Sequence, residues 1–262
     1  MLNRDDSTAA GPADAPRDLA ALRARLAEIV AGSPGGSGRG DTAGSGPGPL
    51  RVLPPLALAR GRVHEATGPA RRLLGVMAAG AAQAEGPVLW FRPRWKRERL
   101  YPDGVKRFAD PGALIQVACP NGAEMLAALE ETLRSGAVAL AVAELPVMPD
   151  LRQLRRLHLA AAEGVASARA AGHDRRAPLG LVFDLERSEA ALAGVESRWR
   201  LAPLPPDPLP DLSPIGPRMW RGEALPSWRL DLLRARDTPP GAWRIDWTPE
   251  GAVSIPLGLS EA

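Results

Sequence analysis

From residue 51 onward, apolar positions recur in two alternating rhythms. Residues 61–67 are strand-like, and short apolar runs over residues 87–91, 113–118, 137–143 and 179–183 have the length and continuity of strands buried on both faces. Between them, apolar residues recur at spacings of three and four. A helix over 70–84 places Leu73, Leu74, Met77 and Ala81 inward. Asn121 and Glu124 form a capping-box pattern and open a helix with Met125, Leu126, Leu129 and Leu133 on one face, ending at Gly136. Asp150 opens a longer helix with Leu151, Leu154, Leu157, Ala161 and Val165 inward. This alternation predicts an α/β fold, a mostly parallel sheet flanked by helices. After residue 195 the rhythm changes. Residues 197–202, 228–234, 242–247 and 253–257 alternate sides, separated by a Pro-rich stretch over 203–226 and a turn at 239–241. They predict antiparallel strands added at the C-terminal end of the sheet. Trp199, Trp228, Trp243 and Trp247 fall in these strands, where core packing or sheet-edge pairing is the default.

The N-terminal segment has a different character. Residues 14–31 read as a helix, with Asp14 as cap and Pro16 in the first turn. Leu19, Leu22, Leu26 and Ile29 share one stripe, and Gly32 and Pro34 end it. Residues 33–49 are a Gly/Ser/Pro run with almost no apolar residue, which reads as a flexible linker. The predicted organisation is an N-terminal helix and linker over 1–50, then a core with a C-terminal strand extension over 51–262. The helix stripe packs on the core, docks on a partner or frays; the sequence leaves these open.

Composition narrows the class. The chain has 262 residues, with 33 basic against 30 acidic side chains for a net charge of +3. Only Lys96 and Lys106 are lysines, a bias toward arginine that a GC-rich genome explains. A single cysteine, Cys119, forms no internal disulfide and fits a reducing compartment. No window carries eighteen uncharged apolar residues, and residues 1–6 include Asp5 and Asp6 with no apolar stretch behind them, so neither a membrane span nor a standard secretion signal is read. The cytoplasm is the expected location. His64, His158 and His173 are scattered and give no metal spacing. No nucleophile-elbow motif is present either; no metal and no other cofactor is expected.

One position in the pattern carries chemistry by what it omits. Gly61-Arg62-Val63-His64-Glu65-Ala66-Thr67-Gly68-Pro69 lies at a strand end before a helix, where a phosphate-binding loop would sit. Such a loop needs a glycine-rich turn, then a lysine for the β- and γ-phosphates and a hydroxyl for magnesium. Counting from Gly68, those positions hold Leu74 and Gly75. Arg71 and Arg72 are placed to meet an anion at the helix N-terminus or to form a solvated face. Hydrolysis is therefore not expected. Glu65 and Glu144 fall at strand ends and read as facing carboxylates, remnants of an ATPase site.

Gly61–Pro69 with the helix after it resembles the opening of the RecA ATPase core. Arg134-Ser135-Gly136-Ala137-Val138 followed by Ala141-Val142-Ala143-Glu144 resembles the RecA segment of the second ATPase motif, with Glu144 where an aspartate is usual. Near Phe91-Arg92-Pro93, where RecA has its water-activating acid, there is none. A closer resemblance is to the ImuA family of RecA-like proteins. It is carried by Gly61–Pro69, Gly86-Pro87-Val88-Leu89-Trp90, Leu100-Tyr101, Ser135-Gly136, Glu144-Leu145 and Arg155-Arg156-Leu157-His158-Leu159-Ala160. Ser197-Arg198-Trp199-Arg200-Leu201, Trp228-Arg229-Leu230-Asp231-Leu232 and Gly241-Ala242-Trp243 follow in family order. The resemblance implies a RecA-like fold and an accessory role in SOS-induced error-prone translesion DNA synthesis. It implies an adaptor working with ImuB, an inactive Y-family polymerase relative, and with an error-prone polymerase of the replicative α-subunit class. RecA, single-stranded DNA and the nucleoid are further expected contacts, and no membrane is. The rival expectations are a RecA-type ATPase with an unusual loop and a protein-binding regulator of recombination or cell division.

The sharpest local surface feature is residues 90–101. Arg92, Arg94, Lys96, Arg97 and Arg99 are interleaved with Trp95 and Tyr101 behind Trp90 and Phe91. Single-strand binding sites combine phosphate neutralisation with base stacking, so this stretch is either a DNA or partner surface or a solvated loop. Arg152, Arg155 and Arg156 form a second basic cluster, expected near Arg175 and Arg176, for which a solvated helix face is the alternative.

Overall fold

The computed structural model describes residues 48–173, 176–184, 192–205, 226–248 and 251–257. The predicted helix over 14–31, nearly all of the linker over 33–49, and most of the Pro-rich stretch lie outside the described residues.

The first elements are ones the sequence pattern did not reveal. β1 (Leu50–Leu53) and β2 (Leu56–Leu58) form a two-stranded antiparallel hairpin. Their leucines are buried against the core, so the hairpin acts as a lid on one face. β3 (Val63–Thr67), α1 (Arg71–Gln83) and β4 (Val88–Pro93) follow, then a short α2 (Pro102–Val105) and β5 (Leu114–Cys119). Next come α3 (Gly122–Ser135), β6 (Leu140–Leu145), α4 (Leu151–Ala170) and β7 (Gly180–Asp184). The chain ends in β8 (Ser197–Pro203), β9 (Ser227–Ala235), β10 (Gly241–Thr248) and β11 (Gly251–Leu257).

The last nine strands make one sheet in the order β11-β10-β9-β8-β3-β7-β6-β4-β5. Within it β8, β3, β7, β6, β4 and β5 run parallel to one another. β9, β10 and β11 continue as an antiparallel meander. This is the predicted α/β architecture: a mostly parallel sheet flanked by helices, with antiparallel strands at its C-terminal end.

Strand side chains alternate between faces, and two cores result. One gathers Leu74, Met77, Ala78, Trp90, Val142, Phe183 and the hairpin leucines around α1. The other gathers Phe91, Met125, Leu129, Leu133, Ala143, Leu154 and Leu157 around α3 and α4. The late tryptophans belong to the first core. Phe108 meets Trp228 and Trp247 edge-on, at ring separations of 6.1 Å and 4.6 Å, and Trp199 lies 6.2 Å from Trp243.

Helix ends follow local rules with one variation. Asp150 and Gln153 form a complete capping box on α4. At α3, the Asn121 side chain accepts from the Glu124 N–H at 2.9 Å, but Glu124 returns its bond to the Asn121 side chain instead of the backbone. Gly136 closes α3 in the left-handed conformation (φ 67°). Leu151 departs from expectation: it is 64% exposed, because the inward stripe of α4 starts one turn later, at Leu154.

A buried polar chain runs through β3. His64 is 1% exposed, and its Nε2 lies 3.0 Å from the Ala59 carbonyl, so that nitrogen carries the proton. Nδ1 then accepts from the Ser197 hydroxyl at 2.7 Å, and the Ser197 oxygen accepts from Trp199 Nε1 at 2.9 Å. Burial pushes the imidazole down from 6.5 to about 4, against the raising effect of the Ala59 carbonyl. Between these values the unfolded chain binds more protons than the folded one, so stability falls as pH falls. Acidifying from pH 7 to pH 4 is expected to remove roughly 3 kcal/mol through this residue. Burial raises the Glu65 carboxyl, which works in the opposite sense. The check is therefore urea unfolding of His64→Gln beside the parent, where the variant loses the histidine part of the pH slope.

Candidate functional site

The turn from β3 into α1 is filled by the protein itself. Gly68 takes a left-handed conformation (φ 89°), and a Cβ there would lie 2.5 Å from the Leu201 carbonyl oxygen of β8. That same carbonyl accepts from the Ala70 N–H at 3.0 Å, and Gly68 O accepts from the Arg71 N–H at 3.3 Å. Two amides that a phosphate would need are thus already engaged.

The side chains behind the turn close it further. Arg71 is buried and donates from Nε to the Asp184 carbonyl at 2.8 Å. Arg72 donates from Nε and Nη2 to one oxygen of Glu144, at 3.1 Å and 2.6 Å. The other Glu144 oxygen accepts from Trp90 Nε1 at 2.8 Å. Trp90 meets Phe183 edge-on at 5.7 Å. Both guanidiniums thus have internal acceptors, with Arg71 buried and the Arg72 side chain 34% exposed. Leu74 is fully buried in the same core. Gly75 lies against the indole, where a Cβ would stand 2.9 Å from Trp90 Cη2. At the positions where a lysine and a hydroxyl would be sought, the chain has aromatic packing.

Glu65 and Glu144 do not face each other. Glu144 shares its strand face with Leu140 and Val142, on the α1 side, whereas Glu65 shares its face with Val63, on the opposite side. Glu65 instead pairs with Arg198 at 3.3 Å and accepts from the Leu192 N–H at 3.4 Å.

The basic stretch after β4 divides in two. Arg92 is 7% exposed, so it belongs to no surface. Its Nη1 donates to the carbonyls of Pro93 and Lys96, at 3.3 Å and 3.2 Å. With the Arg94 N–H donating to the Cys119 carbonyl at 2.7 Å, it pins the turn from within. Arg94, Trp95, Arg97, Arg99 and Tyr101 are exposed and Lys96 is half-buried.

Arg152, Arg155 and Arg156 share the exposed start of α4, but Arg176 does not join them. Arg152 is exposed in the first turn of α4. Arg156 pairs across the helix interface with Glu130 of α3 at 2.7 Å. Arg176 follows the other end of α4 and lies against Gly86. A helix of twenty residues spans roughly 30 Å, which keeps the two ends apart. Arg175 lies outside the described residues. Sequence reading missed a cavity of about 350 Å³ lined by Arg62, Arg155, His158, Glu196 and Arg236. Its residues come from four separate segments, so no local pattern announces it.

Sheet order and site together define an α/β protein with a mostly parallel sheet whose first strand-to-helix turn is packed with its own backbone and side chains. No family model matches the chain. It is 34% identical over 185 residues to the Protein ImuA of two strains of Caulobacter vibrioides, and the match spans 66% of this chain and 66%, just under two thirds, of each relative. The chain belongs to the ImuA family. Among the described residues no helix is long and apolar enough to cross a membrane.

Proposed function

We propose that this chain is a non-hydrolysing, RecA-like accessory protein of DNA-damage-induced mutagenesis. It works as an adaptor with an ImuB-like inactive polymerase relative and an error-prone polymerase of the replicative α-subunit class, in the cytoplasm at the damaged nucleoid. Membership of the ImuA family supports the DNA-damage role. The observation carrying the non-hydrolysing part is the Leu201 carbonyl seated in the β3–α1 turn, with Trp90, Glu144 and Arg72 locked together behind it. A phosphate chain binds such turns through free amides and a lysine, and here the amides have partners and the lysine is Leu74.

Equilibrium binding of labelled ATP with magnesium tests this directly. The expected result is no saturable binding at micromolar nucleotide and no phosphate release; micromolar affinity with turnover overturns it. For the adaptor role, the chain is expected to copurify with both polymerase-like partners from damaged cells after nuclease treatment. Copurification that nuclease abolishes, or none, sinks the adaptor reading.

A further inference from the structure

We propose that the segment from Arg94 to Arg107 is a single-stranded DNA surface, with Trp95 and Tyr101 as stacking platforms and the surrounding cations as phosphate contacts. The first observation is charge. This segment holds six basic residues, Arg94, Lys96, Arg97, Arg99, Lys106 and Arg107, against Glu98 and Asp103. Its local surplus of four exceeds the whole chain's +3, so the rest of the protein is slightly acidic.

The second observation is what these cations lack. Arg60, Arg62, Arg72, Arg134, Arg156 and Arg229 all pair with carboxylates. Among the described residues, none of the six in this segment has an ion pair or a side-chain hydrogen bond. Unpaired arginines crowded together repel one another and are best neutralised by an external anion.

The third observation separates nucleic acid from an acidic protein. Trp95 is 51% exposed and Tyr101 70%, the two exposed large aromatics among the described residues. The other aromatic side chains discussed above pack inside the protein. Ring faces amid guanidiniums suit bases along a phosphodiester backbone, which supplies a π-face and a charge at every step. An acidic peptide supplies only the charge.

The segment is also held for the purpose. Arg92 is buried inside the fold, its Nη1 on the Pro93 and Lys96 carbonyls and its Nε without a hydrogen-bond partner, and the two Nη1 bonds tie the turn that presents Trp95 before any ligand arrives. It springs from the carboxyl end of β4, the edge where parallel sheets place their ligands.

Fluorescence anisotropy of a labelled oligothymidylate with the full chain tests the proposal. Binding is expected at about 50 mM salt, weakening steeply as salt rises, with a log–log slope near about −4 if six phosphates are met. The triple variant Arg94→Ala, Arg97→Ala, Arg99→Ala is expected to shallow that slope by about 2. Trp95→Ala is expected to weaken binding at least about five-fold with the slope unchanged. All these side chains are solvent-facing, and an unchanged melting curve certifies each variant. Absence of binding at low salt overturns the proposal. So does affinity indifferent to Trp95→Ala and Tyr101→Ala with polyglutamate competing as well as the oligonucleotide, which would mark a surface for acidic protein. A chain that binds oligothymidylate but captures no polymerase partner keeps this surface and loses the adaptor role.

Discussion

Trp90→Ala is expected to lower the free energy of unfolding by about 3–5 kcal/mol, the range for deleting a large buried aromatic. Trp90 has no exposed surface, and its ring fills the space left by Gly75 and abuts Phe183. Removing it opens a void and also strips Glu144 of a donor, leaving one oxygen of a buried carboxylate unsatisfied. These two losses separate experimentally. Trp90→Phe keeps much of the ring volume and loses the N–H, so it is expected to cost about 1–3 kcal/mol, the desolvation of the unpaired oxygen. Urea unfolding followed by circular dichroism measures both, since fluorescence loses one of its seven reporters. A Trp90→Ala variant as stable as its parent would mean that the turn is not packed as described.

Gly164→Ala is the second large effect, with an expected net loss of about 2–3 kcal/mol. At Gly164 the backbones of α3 and α4 approach so closely that a Cβ would lie 1.9 Å from the Leu133 carbonyl oxygen and 2.7 Å from Pro178 Cγ. Neither neighbour is the end of a flexible side chain, so the helices must separate. Alanine in a helix interior gains up to about 1 kcal/mol over glycine. Overpacking of this kind costs about 3 kcal/mol, and the steric term wins. Urea unfolding again measures it. Gly48→Ala, with open space around the site, is the matched control and is expected to change stability little.

Much of the fold was legible because its signals are local. The runs that became β4, β6 and β7 are apolar throughout, and α3 and α4 announce themselves through Asn121, Asp150 and Gly136. The β1–β2 hairpin was not legible: it is short, interrupted at Pro54-Pro55 and adjoins a Gly/Pro-rich stretch that masks it. The empty positions of the turn, Leu74 and Gly75, could be read directly; what fills the turn could not. Leu201 lies far along the chain, and only the pairing of β8 with β3 brings its carbonyl to Ala70. The opposed faces of Glu65 and Glu144 depend on strand parity, which no window reports. Arg92 misled for a related reason. Charge in a sequence suggests water, but its guanidinium has backbone carbonyls within reach.

The placement of β3 governs the order in which the protein comes together. This strand is made early, yet its neighbours in the sheet are β7 and β8: Val63 aligns with Gly180, and Glu65 with Arg198. A nascent chain emerging N-terminus first therefore carries β3 unpaired until the ribosome has released β7. β4, β5 and β6 can pair among themselves before then, and the first strand of the nine-stranded sheet has to enter between β7 and β8, both made after it. Closing such distant pairs is slow, and during that interval the bare edges of β3 are the part of the chain most in need of a chaperone.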